Sequence, residues 1–271
     1  MMNGTGVSHD AHLRVSVATY NRVLFRHPQT GTSMLALERK ATVIHGGDAH
    51  NVRVQSQPFG GAVRIFDPHH LRELIGEIRY DSERSRAEQD FRILIPPSRW
   101  EAVKDYCLRH LGNPHAAGLE ALPDRELTEE FAETLHVNLR SDQYTARPLG
   151  FVIEDNPLPT ENAYAPGILT VRLYRIFEVQ VVDVALCQSM IAASQQHSDR
   201  DLRRLARENL EHGGRGWANS ILTLPLETVT KAYLALASEM RFRSIIVENH
   251  ELDESVLAVL ENVDVPQYQR L

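Results

Sequence analysis

Asp124-Arg125-Glu126-Leu127-Thr128-Glu129-Glu130-Phe131-Ala132-Glu133-Thr134-Leu135 is the stretch that decides how the chain is read. Wound into a helix, it places Leu127, Phe131 and Leu135 at i, i+4 and i+8, a stripe suited to burial. Glu126, Glu129, Glu130 and Glu133 recur at i, i+3, i+4 and i+7 and line a second face. The like-charged neighbours 126/129, 126/130, 129/133 and 130/133 together cost on the order of 1–2 kcal/mol, and no lysine in the helix offsets them. A hard divalent cation reverses that sign, because Mg²⁺ takes carboxylate oxygens and keeps waters for a substrate phosphate. A plain solvated acidic face is the other reading that the spacing leaves open.

Working outward, residues 13–39 read as a β-hairpin. Leu13-Arg14-Val15-Ser16-Val17-Ala18 alternates, His27-Pro28-Gln29-Thr30-Gly31 is turn chemistry, and Met34-Leu35-Ala36-Leu37-Glu38-Arg39 is the return strand. Val52-Arg53-Val54 predicts a third strand leading into the tight turn Pro58-Phe59-Gly60-Gly61. A short strand is expected from Asp90 to Ile95. A helix is expected from Pro97 to about Leu111, opened by a Ser98/Glu101 capping box and stopped by Gly112-Asn113-Pro114. The prolines at 148, 157, 159 and 166 predict mostly loop over 141–167, with one short strand at 149–153. Residues 168–184, rich in β-branched side chains, give the strongest strand signal. Helices are expected at 199–211, from Pro225 to about Arg241, and at 251–262.

The 271 residues carry 29 Lys plus Arg against 36 Asp plus Glu, a net charge of −7, which argues against a nucleic-acid partner. No stretch has the ~20 apolar residues of a membrane span, and the first residues lack the pattern of a secretory signal. Cys107 and Cys187 form no CxxC pair, which excludes a disulfide framework and a Cys-rich zinc site. A cytoplasmic protein is the expectation. Thirteen histidines without a repeated ligand spacing argue against zinc, and His69-His70 reads as surface. Ser189 and Ser220 lack a nucleophile-elbow context. Gly213-Gly214-Arg215-Gly216 lacks the GK[ST] of a phosphate loop. Arg200, Arg203, Arg204 and Arg207 read as a solvated helix face. Trp100, Trp217 and Phe177 read as core or interface, and Tyr164 as a base-stacking candidate.

Arg125-Glu126-Leu127-Thr128-Glu129-Glu130 resembles the R-E-U-x-E-E heart of the Nudix box, where U is a bulky aliphatic residue. Pro58-Phe59-Gly60-Gly61 resembles the P-x-G-G turn that leads into the same element. The resemblance spans most of residues 10–241 at low similarity, with the six-residue motif carrying the weight. The box is not contiguous: residues 62–117 intervene after Gly61, the upstream glutamate position falls on Ala117, and Ala132 and Glu133 replace the closing glycine and aliphatic residue.

The resemblance implies an α/β (α+β) fold, a Nudix-like α/β/α sandwich with a mixed sheet. Residues 10–260 would form one domain, with 62–117 as an inserted subdomain, 186–218 as a helical addition and 1–9 as a flexible N-terminus. It implies a hydrolase for a nucleoside diphosphate linked to another moiety, using Mg²⁺ or Mn²⁺. Glu126, Glu129 and Glu130 would be metal ligands, Arg125 would orient them, and Gly60 and Gly61 would admit a close backbone approach. Glu161 and Glu178 are the candidate general bases, and Glu133 or Glu120 the substitutes for the missing upstream carboxylate. The implied partner is a nucleotide-type small molecule, with neither nucleic acid nor membrane, and a homodimer stays open. The alternative of another class is a Nudix-like module that binds a nucleotide without turning it over.

Overall fold

The computed structural model describes residues 12–44, 51–113, 115–116, 118–160, 165–237 and 244–261. Its strands are β1 (Leu13–Arg26), β2 (Ser33–Val43), β3 (Val52–Gln57), β4 (Phe59–Ala62), β5 (Arg79–Tyr80), β6 (Arg92–Ile95), β7 (Tyr144–Pro159), β8 (Leu169–Val181), β9 (Trp217–Pro225), β10 (Ser244–Val247) and β11 (His250–Asp253). Its helices are α1 (Pro68–Ile75), α2 (Glu83–Glu88), α3 (Trp100–Gly112), α4 (Asp124–Leu135), α5 (Val184–Gln196), α6 (Asp199–Glu211), α7 (Leu226–Ala237) and α8 (Ser255–Leu260). None of the described helices is long and apolar enough to cross a membrane. The expected flexible stretch 1–9 lies outside the described residues.

One mixed sheet organises the chain. β1 pairs in turn with β6, β4 and β2, all antiparallel, and runs parallel to β8. β2 continues past β1 to pair with β3 and also pairs with β9, while β8 pairs with β7. Alternation along the strands sends side chains to opposite faces. Val17, Val23, Ala36, Leu173 and Phe177 belong to core clusters beneath α1, α3, α4 and α5. Leu35, Leu37, Ala41, Tyr174 and Ile176 belong to clusters under α6, α7 and α8. The fold is thus α+β, a mixed sheet with helices on both faces.

Residues 63–112 hold α1, β5, α2, β6 and α3. Leu71, Phe91, Ile93, Val103 and Tyr106 pack with Val15, Val17 and Leu173 in a single cluster, so this stretch shares its core with the sheet.

Several boundaries differ from the sequence expectation. Residues 144–159 form one long strand that contains the short strand expected at 149–153 and replaces the loop expected around it. Among the described strands β7 pairs only with β8, so its prolines need not donate to a second neighbour there, and the register shifts at Pro148/Gly150 and at Glu154/Leu158 absorb the irregularity. β9 was not anticipated. It is buried on both faces along Ser220, Ile221 and Leu222, which removes the polar alternation that marks a strand. Residues 251–253 are strand, the end of β11, where the start of a helix was expected. Glu248 and Asn249, both at positive φ (48° and 66°), close a two-residue β10–β11 hairpin, and α8 starts only at Ser255. No Ser98/Glu101 capping box forms. Pro97–Arg99 make a 3₁₀ turn and α3 follows without a side-chain cap.

Candidate active site

α4 lies on the sheet by the stripe its sequence dictates. Leu127 and Phe131 are fully buried, and the Phe131 ring meets Phe59 of β4 at 5.1 Å between centroids. Leu135 is half-buried. The helix ends at His136, whose positive φ lets its N–H reach the carbonyls of Ala132 and Phe131. At its start, the Tyr144 hydroxyl donates to Asp124 at 2.5 Å.

The two glycines of the Pro58–Gly61 turn sit where close approach demands them. Gly60 has φ +151°, and a Cβ there would strike the Thr19 carbonyl, lying 2.9 Å from its carbon. A Cβ on Gly61 would overlap Glu126 Oε2 and lie 2.7 Å from Glu126 Cδ. β4 therefore presses its backbone directly against the Glu126 carboxylate.

Arg125 ties the acidic cluster together. Its Nε and Nη2 donate to the two oxygens of Glu120 at 2.7 and 2.5 Å, a bidentate fork. Nη2 also reaches Glu126 Oε1 at 2.5 Å and the Ala62 carbonyl at 3.1 Å, and Nη1 reaches Glu129 Oε2 at 2.8 Å. Burial alone would lower this guanidinium. The bond to Glu120 and the charges of Glu126, Glu120 and Glu129 outweigh burial and hold it above its ordinary value. The repulsion expected between Glu126 and Glu129 is thus bridged by an arginine of the same helix. Glu120, 7 % exposed, supplies a carboxylate upstream of the motif. Its position comes from the 62–117 stretch: its N–H donates to the Arg64 carbonyl, and Ile65 and Leu119 form a β-bridge. Ala117 lies outside the described residues. Beyond Arg125 a shallow cleft opens, lined by Phe66, His115, Leu119, Glu120 and Leu122.

Glu130 takes the other direction, toward β2. Its neighbours there are Glu38 and Lys40, which share the sheet face of Met34 and Ala36 by their spacing of two. Glu38, 1 % exposed, accepts from Gln57 Nε2 at 2.6 Å and lies 3.8 Å from Lys40 Nζ. Glu130 Oε2 and Glu38 Oε1 are both buried without a hydrogen-bond partner. Burial, then the nearby Glu38, pushes the Glu130 carboxyl up to about 9. Burial also pushes Glu126 up to about 7, against the pull of Arg125. Glu129 and Glu133 are exposed.

Among the described residues, no three His, Cys, Asp or Glu side chains converge in an arrangement that would hold a metal. Arg125 clamps Glu126 and Glu129, while Glu130 leans to Glu38. Glu178 does not belong to this site. It alternates with Phe177 and Val179, so it projects from the opposite face of the sheet. There, bonds from Arg22 and Arg147 overcome burial and lower its pKa. The lowered pKa makes Glu178 a weaker base, and its place on the opposite face separates this candidate general base from the α4 carboxylates. Glu161 and Tyr164 lie outside the described residues. Phe177 is core, 3 % exposed.

Sequence reasoning missed Glu38 and Lys40. Their signal was available: both fall on the Met34/Ala36 stripe of a strand whose apolar period was already read.

Searches of protein-family models, curated proteins and solved structures find no match for this chain.

Proposed function

We propose that the chain is a divalent-metal-dependent hydrolase of a nucleoside diphosphate linked to another moiety, built on a Nudix-like fold. The observation that carries this reading is the pair of buried Glu38 and half-buried Glu130, each with a buried oxygen that accepts no hydrogen bond, beside Glu126. Two carboxylates buried together need either a shared proton or a cation. Their hard oxygen donors match Mg²⁺ or Mn²⁺. An ion would have to draw Glu130, Glu126 and Glu38 together, since these carboxylates do not converge as a set of three as they stand, with Glu129 at the exposed rim. When bound, such an ion supplies charge neutralisation for a diphosphate and a more acidic water.

The chain's own residues do the rest. Arg125 holds Glu126 and Glu129 in fixed orientation through its fork to Glu120. Gly61 leaves room for the Glu126 carboxylate. Lys40 places a cation beside the Glu38/Glu130 pair. The test is a phosphate-release screen over nucleoside diphosphate-linked compounds with Mg²⁺ or Mn²⁺, using wild type, Glu129→Gln and Glu130→Gln. Turnover by wild type that both variants lose supports the reading. Equal turnover by all three overturns the site.

One observation favours a second reading, a module that binds without hydrolysis: the described carboxylates do not converge as a set of three. Metal binding without turnover across the screen would replace the hydrolase by that module.

A further inference from the structure

Between the two apolar clusters on the α4 face of the sheet runs a short polar seam. Its members follow from strand register. Thr19 on β1 stands opposite Gly61 on β4 and opposite Arg175 on β8, and Asn21 stands opposite Phe59 and Phe177. All of these alternate with residues of the opposite face, so they point to the side where α4 lies. Thr19, Asn21 and Arg175 are 2 %, 0 % and 8 % exposed.

Arg175 is the unusual member. Its guanidinium lies over the rings of Phe151 and Phe177, at 4.4 and 5.2 Å from their centroids. Among the described residues its one hydrogen-bond acceptor is the Gly150 carbonyl, at 3.3 Å from Nη1. Nε is buried with no partner, and among the described residues no carboxylate pairs with it. A buried guanidinium without an anion is costly to keep, since several kinds of apolar residue would fill the space without penalty. Asn21 adds a second orphan of opposite sense. Its Nδ2 donates to the Phe59 carbonyl at 3.2 Å, while Oδ1 is buried and accepts nothing. A donor that lacks an anion and an acceptor that lacks a donor thus sit diagonally on neighbouring strands. Gly61, which touches Glu126, belongs to the same cross-strand row as Arg175 and lies two strands away, about 10 Å at ~4.8 Å per strand.

We infer that this seam is the substrate's sugar-phosphate subsite, with Arg175 binding a phosphate oxygen and Asn21 accepting from a hydroxyl of the attached sugar. The inference rests on the hydrolase reading for its place in catalysis, but its binding chemistry needs no metal. Guanidinium forks match phosphate oxygens. The two phenylalanines hold the side chain in one orientation, so little freedom is lost when the anion arrives. The roughly 10 Å offset puts this phosphate on the part of the substrate away from the acidic cluster, which makes Arg175 a specificity residue.

The experiment is calorimetric titration of the full chain with ribose 5-phosphate in EDTA, with melting curves on the same samples. Saturable binding by wild type is expected. Arg175→Met should weaken it by about thirtyfold or more, the loss seen when one partner of a buried charge pair is removed. Arg175→Lys should recover part of the affinity. Arg175→Met should also melt at the same temperature as wild type or higher, because an unpaired buried cation has been replaced by an apolar chain. A lower melting temperature with unchanged binding would assign Arg175 to packing alone and overturn the inference. So would wild type that fails to bind at millimolar ribose 5-phosphate. A separate Mn²⁺ titration reads the hydrolase proposal. Arg175-dependent sugar-phosphate binding without Mn²⁺ binding would sink the hydrolase and leave the subsite standing.

Discussion

Gly60 and Gly61 are adjacent, yet adding one methyl group to each should do different things. At Gly61 the backbone is not in the left-handed region, so alanine carries no conformational penalty. The new Cβ would overlap Glu126 Oε2 and sit 2.7 and 2.9 Å from Cδ and Oε1. Ordinary carbon contacts lie near 3.5 Å, so the carboxylate must retreat by about 1 Å. It cannot do so freely, because Arg125 Nη2 holds Oε1 at 2.5 Å. Metal–ligand distances tolerate only about 0.2 Å of error. Gly61→Ala should therefore lower Mn²⁺ affinity by about 10–100-fold, and overpacking should cost about 1–3 kcal/mol of stability. At Gly60 the clash is with the Thr19 carbonyl, a backbone group of the β1–β4 ladder, and φ is +151°. Gly60→Ala must break that ladder locally and strain its own backbone, which alone costs about 1–3 kcal/mol. Its loss should appear mainly as instability. Calorimetric Mn²⁺ titrations and urea melts on both variants separate the cases. If Gly61→Ala binds Mn²⁺ like wild type, the close approach has no bearing on the site and the placement of Glu126 as a ligand fails.

Three further outcomes are expected. Glu130 has a folded pKa near 9 against an ordinary 4.5, so between those values the metal-free native state holds a proton the unfolded chain lacks. Stability in EDTA should then fall as pH rises from about 5 to 9, with a limiting slope of about 1.4 kcal/mol per pH unit. Glu126, near 7, adds the same sign below that pH. Melting curves of wild type and Glu130→Gln should show the variant flattening the slope, and a wild type that gains stability over that range would contradict the burial of these carboxyls. Millimolar Mg²⁺ or Mn²⁺ should raise the melting temperature, by ~2.7 kcal/mol at a hundred times the dissociation constant. That increment should vanish in Glu130→Gln. Glu120→Ala removes the fork under Arg125 and should cost about 3 kcal/mol, the low end for breaking a buried pair, because Glu126 and Glu129 still hold the guanidinium; a urea midpoint unchanged by this substitution would count against Glu120 as the upstream carboxylate.

The part of the site carried by local pattern was legible in the sequence. α4 follows from Leu127, Phe131 and their four-residue spacing, and the glycine pair follows from the turn that β4 must make. What local pattern could not carry is the long-range part. Glu120 lies only five residues before Arg125 and was a candidate carboxylate from the sequence, but the Ile65–Leu119 bridge and the Arg64 carbonyl that fix its position join stretches more than fifty residues apart and have no short-range signature. β7 was hidden by prolines that an edge strand tolerates, and β9 by burial on both faces. Both are decided by neighbours remote in sequence, which override local propensity.

Glu38 and Arg175 fall between these cases. Each is a charge inside an apolar stripe of period two: Met34, Ala36 and Glu38 on β2, and Val171, Leu173, Arg175, Phe177 and Val179 on β8. A fold optimised for stability alone would put apolar side chains at both positions. Where local choice contradicts global packing, the residue is either compensated nearby or waits for something outside the chain. Arg14, a buried arginine of β1, is compensated: Asp81 accepts from its Nε at 2.8 Å. Among the described residues Arg175 has no such carboxylate, and Glu38, though 3.8 Å from Lys40 Nζ, also faces the second carboxylate of Glu130. The same test, applied to the strands from the sequence onward, picks out the two positions that face the proposed ligand and passes over the one that holds the fold.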